Sequence, residues 1–492
     1  MKLRWDRLAL IAALVIAGVA VVMFARDHWN GIYDDTLIYL RYVKNIDAGC
    51  GPRFNCDGPL VEGFTSPLFL ALLSLGSLVT NQLIELCQVL CTISLIVALV
   101  LAGAVAMRMV DDVRLAAFVT LATVAALAFD HFVLLNSTTG METALGAAFS
   151  SGIAYAAIQR RPWLLVGLVG AALLVRPENM VFLIALPLLP ELRRPKFLAT
   201  AVGIVVAIAV TRFAIFGAFA PNTYYAKSGG TWRHAELGLS YMFDAFADFP
   251  LVILAPLALL VEKHRRAVIY LLGAALAWFA FFLRSGGDLF EYSRLWFPLV
   301  PMLSALALVG VGEVVRRFAR PQLIAVAVLA ATLGVAVRAR VIHYIPPQHT
   351  SPRVLEWAAV GTYLRGHYPK DTLVATVPIG AIGYYSKLPI LDLVGLTEPA
   401  IARAGRSVPD GALTRSWIGH ERNNTEYVLE RAPRVIVTTM HRDQPWRRLD
   451  EAKAGFYSDW LLLQEIKAGR APYHVVDAEV QPHNHFLMFE RN

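Results

Sequence analysis

Hydrophobic residues lie in long blocks along the first 340 positions of the chain. The first block, residues 8–25, holds 18 residues without a charge, enough to cross roughly 30 Å of hydrocarbon as a helix. Further apolar segments follow at 64–80, 83–107, 115–135, 141–158, 163–175, 178–190, 197–217, 244–261, 267–283, 295–313 and 321–337. The pattern predicts a mainly α, polytopic membrane protein.

The charges between these segments predict the topology. Arg and Lys cluster in the loops 159–163, 191–196, 262–266 and 315–320, which the positive-inside rule places in the cytoplasm together with the basic N-terminus. The loops at 136–143, 176–179, 221–230 and 284–294 alternate with them, so we predict these on the outer face. The first loop, 26–63, falls on that face as well.

An odd number of crossings must then lie between residues 64 and 107. We predict that the short segment 64–80 lies in the interface or dips into the membrane without crossing it, which leaves about eleven transmembrane helices. Segment 178–190 is short enough to be a broken or tilted helix.

The composition changes near residue 340. An amphipathic helix is predicted at 354–369, and short strands at 371–386, 389–395, 434–439 and 485–492, separated by Gly and Pro turns. We therefore divide the chain into a membrane module, 1–339, and a C-terminal α/β domain, 340–492. The odd number of crossings places this domain in the periplasm of a bacterial inner (cytoplasmic) membrane protein.

Composition narrows the class of protein. With 57% hydrophobic and 17% charged residues, the chain is too apolar for a soluble enzyme. Its net charge of +8 is spread over short loops, so nucleic acid is not an expected partner. The sequence contains no Gly-rich phosphate-binding loop, and an ATP or nucleotide-sugar site is not indicated.

The four cysteines form two pairs. Cys87 and Cys91 share one face of an apolar helix and are expected to be buried thiols. Cys50 and Cys56 flank a polar loop, where oxidising conditions permit a disulfide that spacing alone does not require.

The candidate chemical groups all fall in loops predicted on the outer face. Asp34 and Asp35 are adjacent acids whose repulsion falls when a cation, a metal ion or a proton lies between them. Two interpretations stay open for this pair: a carboxylate held as a general base, or a pair stabilising the start of the helix "DTLIYLRYVKNI" through its dipole. The other candidates are Arg41, Glu62, Glu142, Arg176, Glu178, Asn222, Tyr224, Lys227, Asp288 and Arg294.

Several of these motifs, in this order, resemble one family. The segment "DDTLIYLRYVKNIDAGCGPRFNCDGPLVEGFTSPL" is similar to the first outer loop of GT-C glycosyltransferases of the mycobacterial arabinofuranosyltransferase B type and of their relatives in the flagellar motor control protein ZomB group. "GMETAL", "RPE", "PNTYYAK", "GGDLFEYSRLWFPLVP" and "GAIGYYSKLPILDLVGLTE" match further along the chain. Thr36, where this family often has Ala, and the two cysteines of the first loop depart from the pattern.

The resemblance implies a membrane glycosyltransferase. It would transfer a sugar from a polyprenyl-phosphate donor to an envelope glycan or glycolipid acceptor on the periplasmic face, with inversion. It assigns catalysis to Asp34 and Asp35, without deciding which is the base, and leaves Arg41, Lys227 and Arg294 as candidates for the donor phosphate. A divalent cation (Mg²⁺, Mn²⁺ or Ca²⁺) held by Asp34, Asp35 and Asp288 is an open alternative.

The sequence leaves two other functions open. A non-catalytic membrane protein that assists flagellar motor or envelope assembly would tolerate loss of the two acids. A flippase or transporter would place ionisable residues along a path through the spans, whereas the charges here cluster at the ends of the spans.

Overall fold

A computed structural model describes residues 2–29, 31–227, 229–288, 293–317, 334, 352–414, 418–441, 455–481 and 484–492. The apolar segment predicted at 321–337 lies outside the described residues apart from one position.

Helices form nearly all of the described membrane module. They are α1 (Lys2–Asp27), α2 (Asp34–Asp47), α3 (Pro67–Ser77), α4 (Leu83–Met109), α5 (Val113–Ala128), α6 (His131–Leu135), α7 (Thr143–Ile158), α8 (Pro162–Val175), α9 (Met180–Ile184), α10 (Pro195–Phe216), α11 (Asn222–Ala226), α12 (Trp232–Asp248), α13 (Arg265–Ser285) and α14 (Val300–Arg316). The 3₁₀ helices are Pro177–Asn179, Leu186–Leu188, Pro190–Leu192, Pro250–Leu260, Glu262–His264 and Phe297–Leu299.

Five helical segments within the described residues are long and apolar enough to cross a membrane. They are Trp5–Asp27, Leu83–Met109, Pro195–Phe216, Glu262–Ser285 and Phe297–Arg316. A sixth candidate is the pair α12 and Pro250–Leu260, bent by 82° where Pro250 disfavours a continued helix. The count of about eleven spans stays a prediction.

The shorter apolar segments behave as their lengths suggest. Helix α3 has 11 residues, too few to cross roughly 30 Å of hydrocarbon, in accord with the prediction for 64–80. Segment 178–190 is broken into short α and 3₁₀ helices, which its prolines favour.

Burial separates the helices into a core and a periphery. In the segment Phe297–Arg316, which contains α14, 83% of the most apolar stretch of 18 residues is buried inside the protein. The corresponding share in α10 is 6%. Small residues let the helices around α14 approach closely; Gly310 lies against the backbone at Leu257 and Ala258.

The C-terminal residues combine strands with helices. The strands are β1 (Val374–Thr376), β2 (Ile390–Asp392), β3 (Arg406–Ser407), β4 (Arg422–Asn423), β5 (Val435–His441), β6 (Tyr473–Gln481) and β7 (Asn484–Arg491), and the helices are α15 (Pro352–His367), α16 (Ile379–Ser386), α17 (Pro399–Ala404), α18 (Thr425–Glu430) and α19 (Tyr457–Lys467). One sheet has the order β2-β1-β5-β7-β6, parallel from β2 to β5 and antiparallel beyond, and β3 pairs with β4.

One prediction for this region is wrong in part. Segment 371–386 was predicted as a strand, but only Val374–Thr376 is extended and Ile379–Ser386 is helical. The reason is tertiary: the carboxylate of Asp34 accepts the backbone N–H groups of Gly380 (3.1 Å) and Ala381 (2.7 Å) at the start of α16, which satisfies amides that a helix leaves without partners.

Candidate functional site

A cleft lies between the N-terminal end of α2, the loops of the membrane module and the C-terminal residues. Its charged lining residues are Asp35, Glu142, Arg176, Glu178, Lys227, Asp288 and Arg294, and His420 also lines it. Loops distant in sequence thus supply both signs of charge to one cavity.

The two adjacent acids face different partners. Both lie in the first turn of α2, after Tyr33, which is the N-cap. Asp34 points to α16, where two backbone amides hold its carboxylate, whereas Asp35 lines the cleft and contacts Arg294 (Oδ2 to Nη1, 3.2 Å). Neighbours on a helix are about 100° apart, so the pair is divided between two surfaces.

Asp34 has a strongly perturbed pKa. Burial raises the pKa of its carboxyl from 3.8 to about 7; the hydrogen bond from Ala381 opposes this rise, and the negative charge of Asp35 adds to it. Asp34 is therefore a titratable contact between the first loop and α16.

Arg294 contacts two acids that line the cleft, Asp35 and Asp288. It donates to Asp288 through Nε (3.0 Å to Oδ2) and Nη2 (3.5 Å to Oδ1), and to Asp35 through Nη1. Burial alone would raise the pKa of Asp288, but the charges of Arg294 and Lys227 outweigh it and hold this pKa below its usual value. Arg294 thus supplies the cation that the sequence required near the acids.

The turn before Asp288 depends on glycine. Gly286 and Gly287 have φ values of +79° and +90°, a region that L side chains rarely adopt. A Cβ atom on Gly287 would lie 2.6 Å from the Cβ of Tyr241. The "GGD" element therefore lets the backbone pass against α12 and brings Asp288 to the cleft.

A second buried charge group, made of Glu142, Arg176 and Glu178, also lines the cleft. Arg176 donates to Glu142 (Nη1 to Oε1, 2.9 Å) and to Glu178 (Nη2 to Oε1, 3.0 Å). Burial alone would raise the pKa of Glu178, but Arg176 holds it below the usual value. Two carboxylates on one guanidinium bring the loops 136–143 and 176–179 together, as the outer-loop grouping predicted.

Lys227 differs from the two arginines. It lines the cleft and is exposed, and among the described residues it has no salt-bridge partner within 4.0 Å. An exposed lysine ammonium that makes no salt bridge to a described residue is available to an anionic group of a ligand.

Besides Asp34, four residues predicted for the site do not line the cleft. The described residues that line the cleft do not include Arg41, Glu62, Asn222 or Tyr224. Glu62 is buried and pairs with Arg212 (3.0 Å). Asn222 donates to the carbonyls of Gly395 (2.7 Å) and Leu396 (3.0 Å).

The remaining two have separate surroundings. Tyr224 is 57% exposed and packs edge to face on Tyr225. Arg41 is buried and donates to Phe54 (2.7 Å), Gly383 (2.5 Å), Asn55 (2.8 Å) and Leu388 (2.7 Å). With its donors committed to the protein, Arg41 joins the first loop to the C-terminal residues.

Two further polar groups of the cleft, Tyr39 and Thr65, were not predicted as site residues, and a third is His420. Thr65 donates to Glu142 (Oγ1 to Oε1, 3.1 Å), and the Tyr39 hydroxyl lies 3.3 Å from Thr65 Oγ1. Tyr39 follows Asp35 by four positions, the spacing of one helix face, and this signal was available. His420 comes from the "GHER" segment; burial lowers the pKa of its imidazole, while the charge of Asp35 opposes that change.

The three acids considered as metal ligands do not fit one ligand set. The oxygens of Asp34 accept backbone amides and those of Asp288 accept Arg294. Within the described part of the chain, no group of three or more His, Cys, Asp or Glu residues is placed to hold a metal ion. Asp34, Asp35 and Asp288 are thus engaged by the protein in this arrangement.

Comparison with known sequences supports the resemblance read from the motifs. The chain is 27% identical over 355 residues to the terminal β-(1→2)-arabinofuranosyltransferase of Mycobacterium tuberculosis (strain ATCC 25618 / H37Rv). The match covers 61% of this chain and 55% of that protein, so the chain spans about half the length of its curated relative. Residues 344–481 match a domain of unknown function (DUF8728).

Comparison with solved structures shows the fold. ArnT from Cupriavidus metallidurans bound to undecaprenyl phosphate matches with a TM-score of 0.53 and 15% identity, covering 98% of each chain. The archaeal oligosaccharyltransferase AglB from Archaeoglobus fulgidus, in complex with an inhibitory peptide and a dolichol-phosphate, matches with a TM-score of 0.54 and 12% identity over 87% of this chain and 69% of that one. Both are GT-C fold glycosyltransferases, and the resemblance to proteins of that fold is confirmed.

Proposed function

We propose that this protein transfers a sugar from a polyprenyl-phosphate donor to a hydroxyl of an envelope glycan or glycolipid. One observation carries the proposal: Arg294 holds Asp35 at the wall of a cleft that is also lined by Lys227, an exposed lysine that makes no salt bridge to a described residue. A carboxylate and an exposed cation lining one cavity suit a reaction that takes up a proton and releases a phosphate.

The two acids receive different roles in this proposal. Asp35 is the general base, because its carboxylate faces the cleft and would reach the acceptor hydroxyl. Asp34 is a positioning residue, because its carboxylate is bound to the start of α16. We therefore propose Asp35 for the role that the sequence left open between the two residues.

The reaction is a single displacement. The acceptor hydroxyl gives its proton to Asp35 while its oxygen attacks the anomeric carbon. The bond from that carbon to the phosphate oxygen breaks, its electron pair leaves with polyprenyl phosphate, and the anomeric configuration inverts. Lys227 would bind the departing phosphate, with Arg294 and Arg176 adding positive potential behind their acids.

The lipid carrier and the membrane placement are inferred from the neighbours and the charges. ArnT and AglB were solved with undecaprenyl phosphate and a dolichol-phosphate, and this chain has their fold. The basic loops favour a cytoplasmic side opposite the cleft. We therefore propose that the cleft opens to the periplasmic face of the cytoplasmic membrane, and that about eleven helices cross this membrane.

The direct test is release of polyprenyl phosphate. Purified protein in lipid nanodiscs would receive a panel of polyprenyl-phosphate pentoses and hexoses with a delipidated envelope glycan as acceptor. We expect acceptor-dependent release from one donor, reduced by about 10²-fold or more in Asp35→Asn, because general-base catalysis commonly contributes that much. Asp27→Asn, which removes an exposed acid at the end of α1 that does not line the cleft, is the matched control.

The competing function predicts a different result. A non-catalytic assembly factor would release no carrier from any donor, and its cellular phenotype would survive Asp35→Asn. Release that is equal in Asp35→Asn and the unchanged protein would remove Asp35 from the catalytic role, whichever donor was used.

A further inference from the structure

A second cavity lies on the other side of α2 from the candidate active site. Its volume is about 740 Å³, within the range of roughly 300–1,000 Å³ typical of small-molecule sites. Residues at the C-terminal end of α2 and in the loop after it form one wall; α16, the end of α15 and the segment 387–389 form the other. We call this cavity the basic cleft.

Charge distinguishes the basic cleft. Besides Arg41, its lining holds five cationic side chains and one acid, Asp57; the five cations are Lys44, Arg365, Lys370, Lys387 and Arg431. All five are exposed, and none makes a salt bridge to another residue that the structure describes. Uncompensated like charges around one concavity raise the local concentration of anions.

Hydrogen bonds within the protein hold the backbone at the base of the basic cleft. Arg41 fixes the carbonyls of Gly383 and Leu388, and Asn55 exchanges hydrogen bonds with the backbone of Ile390 (2.8 and 3.0 Å). The Cys50–Cys56 disulfide closes the loop that carries Asn55, which answers the question that cysteine spacing left open. A fixed floor lowers the ordering cost of binding.

Two aromatic rings complete the lining. Tyr384 and Tyr385 are half-buried and pack edge to face with centroids 5.2 Å apart. Such rings offer an apolar face and a hydroxyl, which suits a sugar ring better than a phosphate ion alone. The walls also place amide groups of Asn45 and Asn55 beside the cations.

From these features we propose that the basic cleft binds an anionic glycan, a carbohydrate chain bearing carboxylate or phosphate groups. Guanidinium and ammonium groups would hold the anionic substituents and the tyrosines would contact the sugar rings. Asp35 and Lys44 are nine positions apart on α2, about 13 Å along the helix axis, so a glycan bound here would lie near the candidate active site. The site is non-catalytic and extends the proposed function.

The test measures binding without turnover. Full-length protein in phosphatidylcholine nanodiscs would be titrated with fluorescent oligogalacturonate, a phosphorylated oligosaccharide and a neutral oligogalactan of equal length. We expect an anionic probe to bind more tightly than the neutral one, with affinity falling as salt rises. Using Asp35→Asn as the host protein keeps this result separate from any failure of sugar transfer.

Two double variants decide where the probe binds. Arg365→Gln with Arg431→Gln removes two cations from the cleft, and we expect about tenfold weaker binding. Arg353→Gln with Arg406→Gln removes two exposed arginines outside it, one of them from the opposite end of the same helix as Arg365. Equal loss in both double variants, or equal affinity for neutral and anionic probes, would overturn the proposal.

A lipid headgroup is the rival ligand, and one arm addresses it. Anionic phosphatidylglycerol would be added to the nanodiscs at fixed probe concentration. If the lipid displaces the probe from the unchanged protein but has no effect on the residual binding of Arg365→Gln with Arg431→Gln, the cleft is a headgroup site and the glycan assignment falls. Probe binding that persists in the anionic membrane supports it.

Discussion

The contact between Asp34 and α16 should weaken as the pH rises through neutrality. The group that titrates in this range is Asp34, because burial raises the pKa of its carboxyl from 3.8 to about 7. A carboxyl whose pKa is higher in the folded state stabilises that state below its unfolded pKa, and this contribution is lost as the pH rises through the folded value. Asp35 and Asp392 add negative charge nearby and reinforce the sign.

The magnitude follows from the two pKa values. Between pH 6 and pH 8 the folded carboxyl changes from mostly protonated to mostly ionised, while the unfolded one is ionised throughout. The linkage relation gives a loss of about 1.4 kcal/mol, or about tenfold in the opening equilibrium of α16.

Hydrogen exchange of residues 379–386 measures that equilibrium. Full-length protein in nanodiscs would be exchanged at pH 6 and pH 8, and the rates corrected for the intrinsic pH dependence of amide exchange. The titration of Asp34 should lower protection by about tenfold at pH 8, and Asp34→Asn, which does not titrate, should remove this tenfold share of the difference. Asp392 also titrates in this range, with burial raising its pKa to about 6, so the comparison with Asp34→Asn isolates the share of Asp34. An unchanged difference in Asp34→Asn, or protection that rises with pH, would refute the reasoning.

Three further expectations concern the cleft and the junction. Lys227→Gln should weaken donor binding by about tenfold, since it removes the exposed cation; Lys467→Gln on α19 is the control, and equal affinities in isothermal titration would contradict the assignment. Arg41→Ala should lower the free energy of unfolding by more than about 3 kcal/mol, because it removes four hydrogen bonds that a buried guanidinium donates. Thermal unfolding should show a smaller loss of stability for Arg53→Ala in the same loop. Because Arg294 lies between Asp35 and Asp288, EDTA should leave carrier release unchanged, and loss restored by Mg²⁺ or Mn²⁺ would contradict this.

Local and repeated signals explain what could be predicted. A helix "DTLIYLRYVKNI" beginning at the two acids was one of the interpretations of the sequence, and α2 forms at Asp34–Asp47. The grouping of the loops at 136–143, 176–179 and 284–294 followed from charge alternation, and Glu142, Arg176 and Arg294 do line one cleft. The broken character of segment 178–190 followed from its length.

Other features depend on contacts between distant residues. Segment 379–386 has the composition of a strand, yet it is a helix whose first amides meet Asp34, about 346 positions earlier. Arg41 has the residue type and loop position of a phosphate ligand, but its donors are taken by carbonyls of two separate segments. A sequence does not reveal which partners have already satisfied a charged group.

By itself, the sequence determined a helical membrane protein with acids and cations collected in alternate loops, because hydrophobic length and charge are properties of short segments. It also carried the motifs that resemble GT-C glycosyltransferases. Only the tertiary structure decided that Asp34 binds α16 while Asp35 lines the cleft beside Arg294. The physical reason is that adjacent helical residues point in different directions, and the surface each one meets is set by the packing of distant chain segments.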